Sequence, residues 1–475
     1  MRILKPWVPL LGVWALTAVA EPAPAPAYYE ADPSRAGALV RGEGPLPYSS
    51  RYAPEPSGAV LIENATVLLG DGTRLDEGDV LFDAGRIVAV GQDLAAPAEA
   101  TVVDGTGRWV TPGIIDVHSH LGDYPSPGVE AHSDGNEATA PVTARVWAEH
   151  SVWPQDPQFP LALMGGVTTL QILPGSANLV GGRGVTLKNV PARSVMDMKF
   201  PGAPHSLKMA CGENPKRVYG RRRSAPSTRM GNVAGYRESW IKARAYQAKL
   251  DAAAASGEDL PDRDLELETL AGVLRGEILI HNHCYRADEM LIMLDIAREF
   301  DYKITAFHHA TEAYKIADVL AEEGVCGALW ADWWGFKMES NDAIEENIAL
   351  MEQAGACAIV HSDSARDIQR LNQEAAKALM AARRMGLPYD EALAMRWLTQ
   401  NAAKALGIED QTGTLAPGLM ADVVLWTGNP FSVYSRAERV WIDGHLHYAA
   451  GPDGLRPTTD FDLAQTPAGR GEARQ

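Results

Sequence analysis

Between residues 112 and 410 the chain alternates short apolar runs with amphipathic helical patterns, and this alternation restricts the fold more than any other feature. The runs are GIIDVHSH, GVTTLQIL, GVTLKNV, SLKMACGE, EILIHNH, KITAFHH, GALWAD and CAIVHSD. Helical stretches such as DEMLIMLDIAREF, EAYKIADVLAEEG and LNQEAAKALMAARRMG lie between several of them. A strand that returns to the same sheet after a helix pairs in parallel. Eight such units predict an α/β fold, a (β/α)8 TIM-like barrel over residues 112–410. An open nucleotide-binding sheet is less suited, because no Gly-x-Gly-x-x-Gly follows a strand.

The flanks have a different texture. Residues 58–111 and 411–450 alternate apolar and polar positions between Gly/Asp turns, as in AVLIENATVLL and AERVWIDGHLHYAAG. Both ends are predicted to build one small β-sandwich beside the barrel. Upstream, Arg2 and Lys5 precede an apolar run from Trp7 to Val19 and an Ala18-Val19-Ala20 site. This reads as a secretory signal over 1–20, followed by a proline-rich extension over 21–57; residues 451–475 form a polar tail. The expectation is an exported protein, periplasmic or secreted, free of the membrane after cleavage. A formal net charge of −18 argues against nucleic acid as a partner. The four cysteines, Cys211, Cys284, Cys326 and Cys357, form no Cys-x-x-Cys pair, and neither a disulfide framework nor a thiolate zinc site is expected. Self-association into a homo-oligomer stays open.

Chemistry concentrates where the predicted strands end. His118 and His120 close the first run, His281 and His283 the fifth, His308 and His309 the sixth, and His361 and Asp363 the eighth. Residues two apart on a strand share a face, and the C-terminal strand ends are where barrels carry their sites. Neutral imidazoles converging there are good ligands for zinc or a similar ion. A single buried histidine is more simply a core residue with its own hydrogen bonds. Four strand ends together would each need such a partner.

TPGIIDVHSH, the later strand-end histidines, the final Ser-Asp and GTLAPGLMADVVLW together resemble the amidohydrolase superfamily, in its imidazolonepropionase-like branch, over residues 58–450. The resemblance implies a metal-dependent hydrolase with one or two divalent ions, zinc first among them. It implies that His118, His120, His283, His309 and Asp363 are metal ligands, with Asp363 also the proton shuttle. His281 and His308 become second-choice ligands or supporting groups. For the fourth strand the first choice is Glu213 at the strand exit, with a carboxylated Lys208, set deeper, as the alternative bridging ligand. Tyr285, Arg286 and Asn178 are expected to contact a small-molecule substrate, with Arg183 a weaker candidate; Trp330, Trp333 and Trp334 are expected at the pocket wall. The reaction expected is hydrolysis of a C–N bond in an amide, N-acyl amino acid, dipeptide or cyclic amide. An aminohydrolase acting on an aromatic amine, or an inactive binding barrel, are the alternatives.

Overall fold

The computed structural model describes residues 48–452 and 454–457. The expected signal sequence, most of the expected extension and most of the expected polar tail lie outside the described residues.

The first strands build a β domain: β1 (Val60–Leu68), β2 (Arg74–Asp83), β3 (Arg86–Gly91), β4 (Thr101–Asp104) and β5 (Trp109–Pro112). The barrel sheet follows, with β6 (Ile114–Ser119), β7 (Val167–Ile172), β8 (Val180–Lys188), β9 (Ser206–Ala210), β10 (Leu279–Cys284), β11 (Ile304–His309), β12 (Cys326–Leu329) and β13 (Cys357–Val360). The chain then returns to the first domain as β14 (Val423–Trp426), β15 (Ala437–Ile442) and β16 (His445–Ala449).

Both chain ends share one connected eight-stranded sheet in the order β16-β15-β14-β5-β1-β2-β3, with β4 also paired to β1. The join is β14 lying antiparallel to β5, Val423 opposite Pro112. Alternate positions of these strands, Val60, Ile62, Val80, Phe82, Val423 and Leu425 among them, bury a core of their own. That packing is what the apolar/polar alternation in the sequence encodes.

The barrel sheet runs in sequence order from β6 to β13. Its edges meet through two backbone donors, Ser362 N to Asp116 Oδ1 at 3.2 Å and Asp363 N to the His118 carbonyl at 3.0 Å, so it is nearly closed. One expectation fails. The third strand is not parallel to its neighbours: β8 pairs antiparallel with both β7 and β9. The link from β7 to β8 contains no helix. It is too short for a crossover, so the chain can only turn back as a hairpin.

The expected helices form, as α5 (Ala287–Phe300), α6 (Ala317–Glu323) and α8 (Leu371–Arg384), the sixth entered through a 3-10 turn. They complete the series α1 (Gln158–Met164), α2 (Glu213–Arg221), α3 (Arg229–Ser256), α4 (Leu265–Leu274), α7 (Asn347–Gln353), α9 (Glu391–Arg396) and α10 (Gln400–Leu406). α2 and α3 make up the insertion after the fourth barrel strand. α10 packs Ala402, Ala403 and Leu406 against Ile115, Val117 and Ile359 of the barrel.

The cysteine reading is also overturned. Cys211 joins Cys284, and Cys326 joins Cys357. The partners are 73 and 31 residues apart in sequence, but parallel pairing sets Cys326 opposite Cys357 and brings Cys211, just past the end of β9, beside Cys284 at the end of β10.

Candidate metal centre

Five strands deliver imidazoles or an amine to one buried point. His118, Lys208, His281, His283, His308, His309 and His361 are each no more than 2% exposed. Burial is the main cause that holds the rings of His118, His283, His308 and His309 well below the ordinary imidazole range. It takes His281 and His361 down to about 3. These rings are neutral at pH 7 and offer lone pairs.

A chain of contacts fixes which nitrogen of His118 carries the proton. His281 Nε2 lies 3.1 Å from the carbonyl oxygen of Ala405, which can only accept. His281 therefore donates through Nε2 and accepts at Nδ1, 2.8 Å from His308 Nε2. His308 in turn donates through Nε2 and accepts at Nδ1, 2.8 Å from His118 Nδ1. The proton of His118 is thus on Nδ1, and its Nε2 lone pair faces Lys208 Nζ at 3.2 Å and Asp363 Oδ1 at 3.7 Å. His281 and His308 orient His118 through its far nitrogen, as groups behind a metal-binding histidine do.

His120 repeats the pattern. Its Nδ1 sits 2.7 Å from the Leu173 carbonyl, so in the neutral ring Nε2 is an acceptor. That nitrogen faces Asp363 Oδ1 at 3.2 Å. A proton or a metal ion between the two satisfies both. His309 Nε2 approaches Asp363 Oδ2 at 3.8 Å. Elsewhere in the cluster His283 Nδ1, His309 Nδ1 and both nitrogens of His361 are buried with no hydrogen-bond partner. Such orphans are rare and costly in a finished core. Ligand atoms of His118, His120 and Asp363 lie within 4.8 Å of one another, as do those of His118, His309 and His361. The donor set fits a divalent ion.

The backbone is bent to make this convergence. His309, Ala310 and Asp363 have φ of 67°, 34° and 48°, in the left-handed region that non-glycine residues avoid. Strain of this kind gathers at functional sites. Asp116 locks the seam beside it: it accepts from the Ser362 hydroxyl and from the backbone N–H of Ser362 and His118. Burial pushes its carboxyl up to about 7. Burial counts against the charge of Asp363 too, but His120, His361 and Lys208 outweigh it and hold that carboxyl below its ordinary range.

Above the cluster opens a cavity of about 380 Å³ lined by His120, His283, His309 and Asp363 at its floor and by Tyr285, Trp330, Trp333, Phe336 and Lys337 at its wall. Trp330 stacks on His309, ring centres 4.1 Å apart.

The candidates named from sequence separate cleanly. His118, His120, His283, His309, Asp363 and Lys208 converge. Glu213 does not join them. It begins α2 with its N–H bonded to Glu339, and its carboxylate faces Lys337 Nζ at 4.0 Å. Tyr285 lines the cavity, whereas Arg286 points outward to Asp288 at 2.8 Å. Asn178 spends its amide N–H groups on the Glu137 and Ala140 carbonyls and on Thr143. Arg183 is stacked 4.1 Å over Trp147 and bonded to Thr269. Trp334 is not among the lining residues. Sequence reasoning passed over Asp116, Asn214 and Lys337 and gave His361 no role; the His-Ser-Asp spacing was the one signal available for His361.

The comparisons with known proteins agree with this geometry. A model of the amidohydrolase family matches residues 264–452. A crystal structure of an amidohydrolase from Thermotoga maritima MSB8 is 38% identical, superposes with a TM-score of 0.76, and covers 82% of this chain and 100% of its own. The chain belongs to the amidohydrolase family. Amidohydrolase tasK of Hapsidospora irregularis is 33% identical over 440 residues, 84% of this chain, which spans only 44% of that relative's length. A 5-methylthioadenosine/S-adenosylhomocysteine deaminase of Desulforudis audaxviator is 26% identical over 410 residues, 82% of this chain and 90% of the relative. The protein is therefore a hydrolase of this family, with histidine and aspartate groups able to hold a metal ion.

Proposed function

We propose that the protein hydrolyses the C–N bond of an amide, N-acyl amino acid, dipeptide or cyclic amide at a centre of one or two divalent ions, zinc first among them. The observation that carries this reading is the group of buried ring nitrogens on His283, His309 and His361 with no hydrogen-bond partner, beside His120 Nε2 and Asp363 Oδ1 at 3.2 Å on a cavity floor. His118, His120, His283, His309 and Asp363 would hold the metal, with Lys208 as the fourth-strand group. A divalent ion there supplies an activated water and polarises a carbonyl.

The chain's own residues do the rest. Ala405 O, through His281 and His308, keeps the His118 Nε2 lone pair aimed inward. Asp363, held ionised, takes the proton of the attacking water on a carboxylate oxygen and returns it to the leaving nitrogen. Burial brings Lys208 down to about 7, so much of it is the free amine at neutral pH. That is the form that can add carbon dioxide and lose a proton to become a carbamate. Lys208, next to His118, supports this choice over Glu213. Export is supported by the N-terminal pattern and by two disulfides, which persist in oxidising compartments.

The aromatic wall also suits a flat ring, and an aminohydrolase is the second reading. A screen of the metal-loaded protein decides: amine or carboxylate release from N-acyl amino acids, dipeptides and cyclic amides supports hydrolysis, and ammonia release from aromatic amines alone overturns it in favour of deamination. In the active assay Asp363→Asn should keep most of the metal and lower kcat by ~10²-fold or more. Undiminished turnover would remove Asp363 from the mechanism.

A further inference from the structure

Lys337 is the one lysine or arginine among the cavity's lining residues. Its side chain is 18% exposed and its ammonium stands 4.7 Å over the Tyr285 ring and 5.4 Å from Phe336. Its close polar contact is neutral: Nζ donates to Asn214 Oδ1 at 3.0 Å. The carboxylate facing it, Glu213, is 4.0 Å away, beyond hydrogen-bond reach. Of the nearby arginines, Arg217 reaches the same Asn214 Oδ1 at 3.4 Å but is not among the cavity's lining residues, and two others are better served. Arg229 is clasped by Glu289 and Glu339, and Arg286 by Asp288. A mostly buried ammonium against aromatic rings is short of an anion.

The position of this ammonium is informative. Asn214 Nδ2 lies 3.3 Å from His283 Nε2. One carboxamide group therefore separates Lys337 from a ring of the metal centre. In an N-acyl amino acid the α-carboxylate is separated from the scissile carbonyl by one nitrogen and one carbon, a span of the same order. A single ammonium suits a singly charged, compact anion; a phosphate ester draws on several donors.

We propose that Lys337 binds the α-carboxylate of the substrate, so that the substrates are N-acyl amino acids, dipeptides included, rather than neutral amides. This rests on the amide-hydrolysis reading above. The carboxylate displaces the long contact to Glu213 and docks between Lys337 and the wall formed by Tyr285 and Phe336. Lys337 is then a residue that selects substrate, while Asp363 and the histidines perform the reaction.

The experiment uses zinc-loaded protein and a panel of N-acetyl amino acids paired with their C-terminal amides, with acetate release as the readout. Binding of each pair to the metal-free protein is followed in parallel by calorimetry. The wild type should favour the acids at least tenfold in kcat/KM, and Lys337→Met should lower the acid-to-amide ratio at least tenfold, mainly through KM, with Lys337→Arg restoring part of it. A wild type without acid preference, or a Lys337→Met variant that loses acid and amide alike, overturns the proposal while leaving amide hydrolysis standing. Acetate release from neither member of any pair removes N-acetyl amino acids from the substrates and leaves amide hydrolysis to the wider screen above. The binding arm then decides for Lys337: tighter binding of the acids that vanishes in Lys337→Met upholds anion capture, and equal binding of acid and amide overturns it.

Discussion

Two buried clusters of charge lie at opposite ends of the barrel, and they are built on different principles. At the mouth are His118, His120, Lys208, His361, Asp363 and their neighbours. At the other end Lys188, paired across the sheet with Thr169 near the start of β7, reaches the seam with the β domain. There its ammonium meets both oxygens of Asp422 at 3.0 Å and Asp443 at 3.1 Å. Thr412 donates to Asp422, the backbone N–H of Asp443 does likewise, and Tyr52 donates to Asp443. None of the side-chain oxygens or the amine in that seam is left without a partner. At the mouth, four ring nitrogens are. Both clusters have fully buried members, Lys188 in one and His118 and Lys208 in the other, so burial alone does not distinguish them. Satisfaction does: a closed network holds the fold, and an open one waits for a ligand.

The comparison makes opposite forecasts for the two ends. The largest effect belongs to the mouth. His118→Ala combined with His120→Ala should lose nearly all bound metal by elemental analysis and all measurable turnover, while urea unfolding of the metal-free protein changes little. A metal-free variant far less stable than the metal-free wild type would show that the mouth is structural after all. Next comes the seam. Lys188→Met strands two buried carboxylates, and stability should fall by roughly 3–5 kcal/mol, the usual cost of removing one partner from a buried pair. Metal content per folded molecule should stay normal, and its loss would erase the distinction between the clusters. The smallest effect is a pH dependence. His447, on β16, is taken down to about 4, mainly by burial and then by His445. Its folded pKa is below the ordinary value near 6.5, so the unfolded chain binds the extra proton first. The stability it contributes is whole above about pH 6.5 and is lost as pH falls toward 4. His447→Gln should flatten the urea-unfolding midpoint of metal-free protein slightly across that window; an unchanged slope would show that His447 is solvated.

What the sequence made legible follows the same division. Residues two apart at a strand end share a face whatever the rest of the chain does, so His118, His120 and Asp363 could be placed without coordinates. Depth could not. Lys208 and Glu213 stand five positions apart, and only the strand's end before Glu213 shows that the amine lies inside and the carboxylate out on α2. The direction of β8 was hidden because GVTLKNV reads alike in either sense; the missing helix before it was the available clue. The disulfides were hidden because spacing along the chain says nothing of which strands adjoin. Arg286 misled because its neighbour Asp288, in the first turn of α5, draws it outward.

The β14–β5 join sets an order of events during synthesis. Trp426 Nε1 donates to Thr111 Oγ1, a contact between residues 315 positions apart. At ordinary ribosomal speeds the early strands emerge roughly 15–60 s before the strand that completes their sheet. Through that interval one edge of β5 stands unpaired. A nascent chain must keep that edge shielded until β14 has been made, and only then can the β domain close.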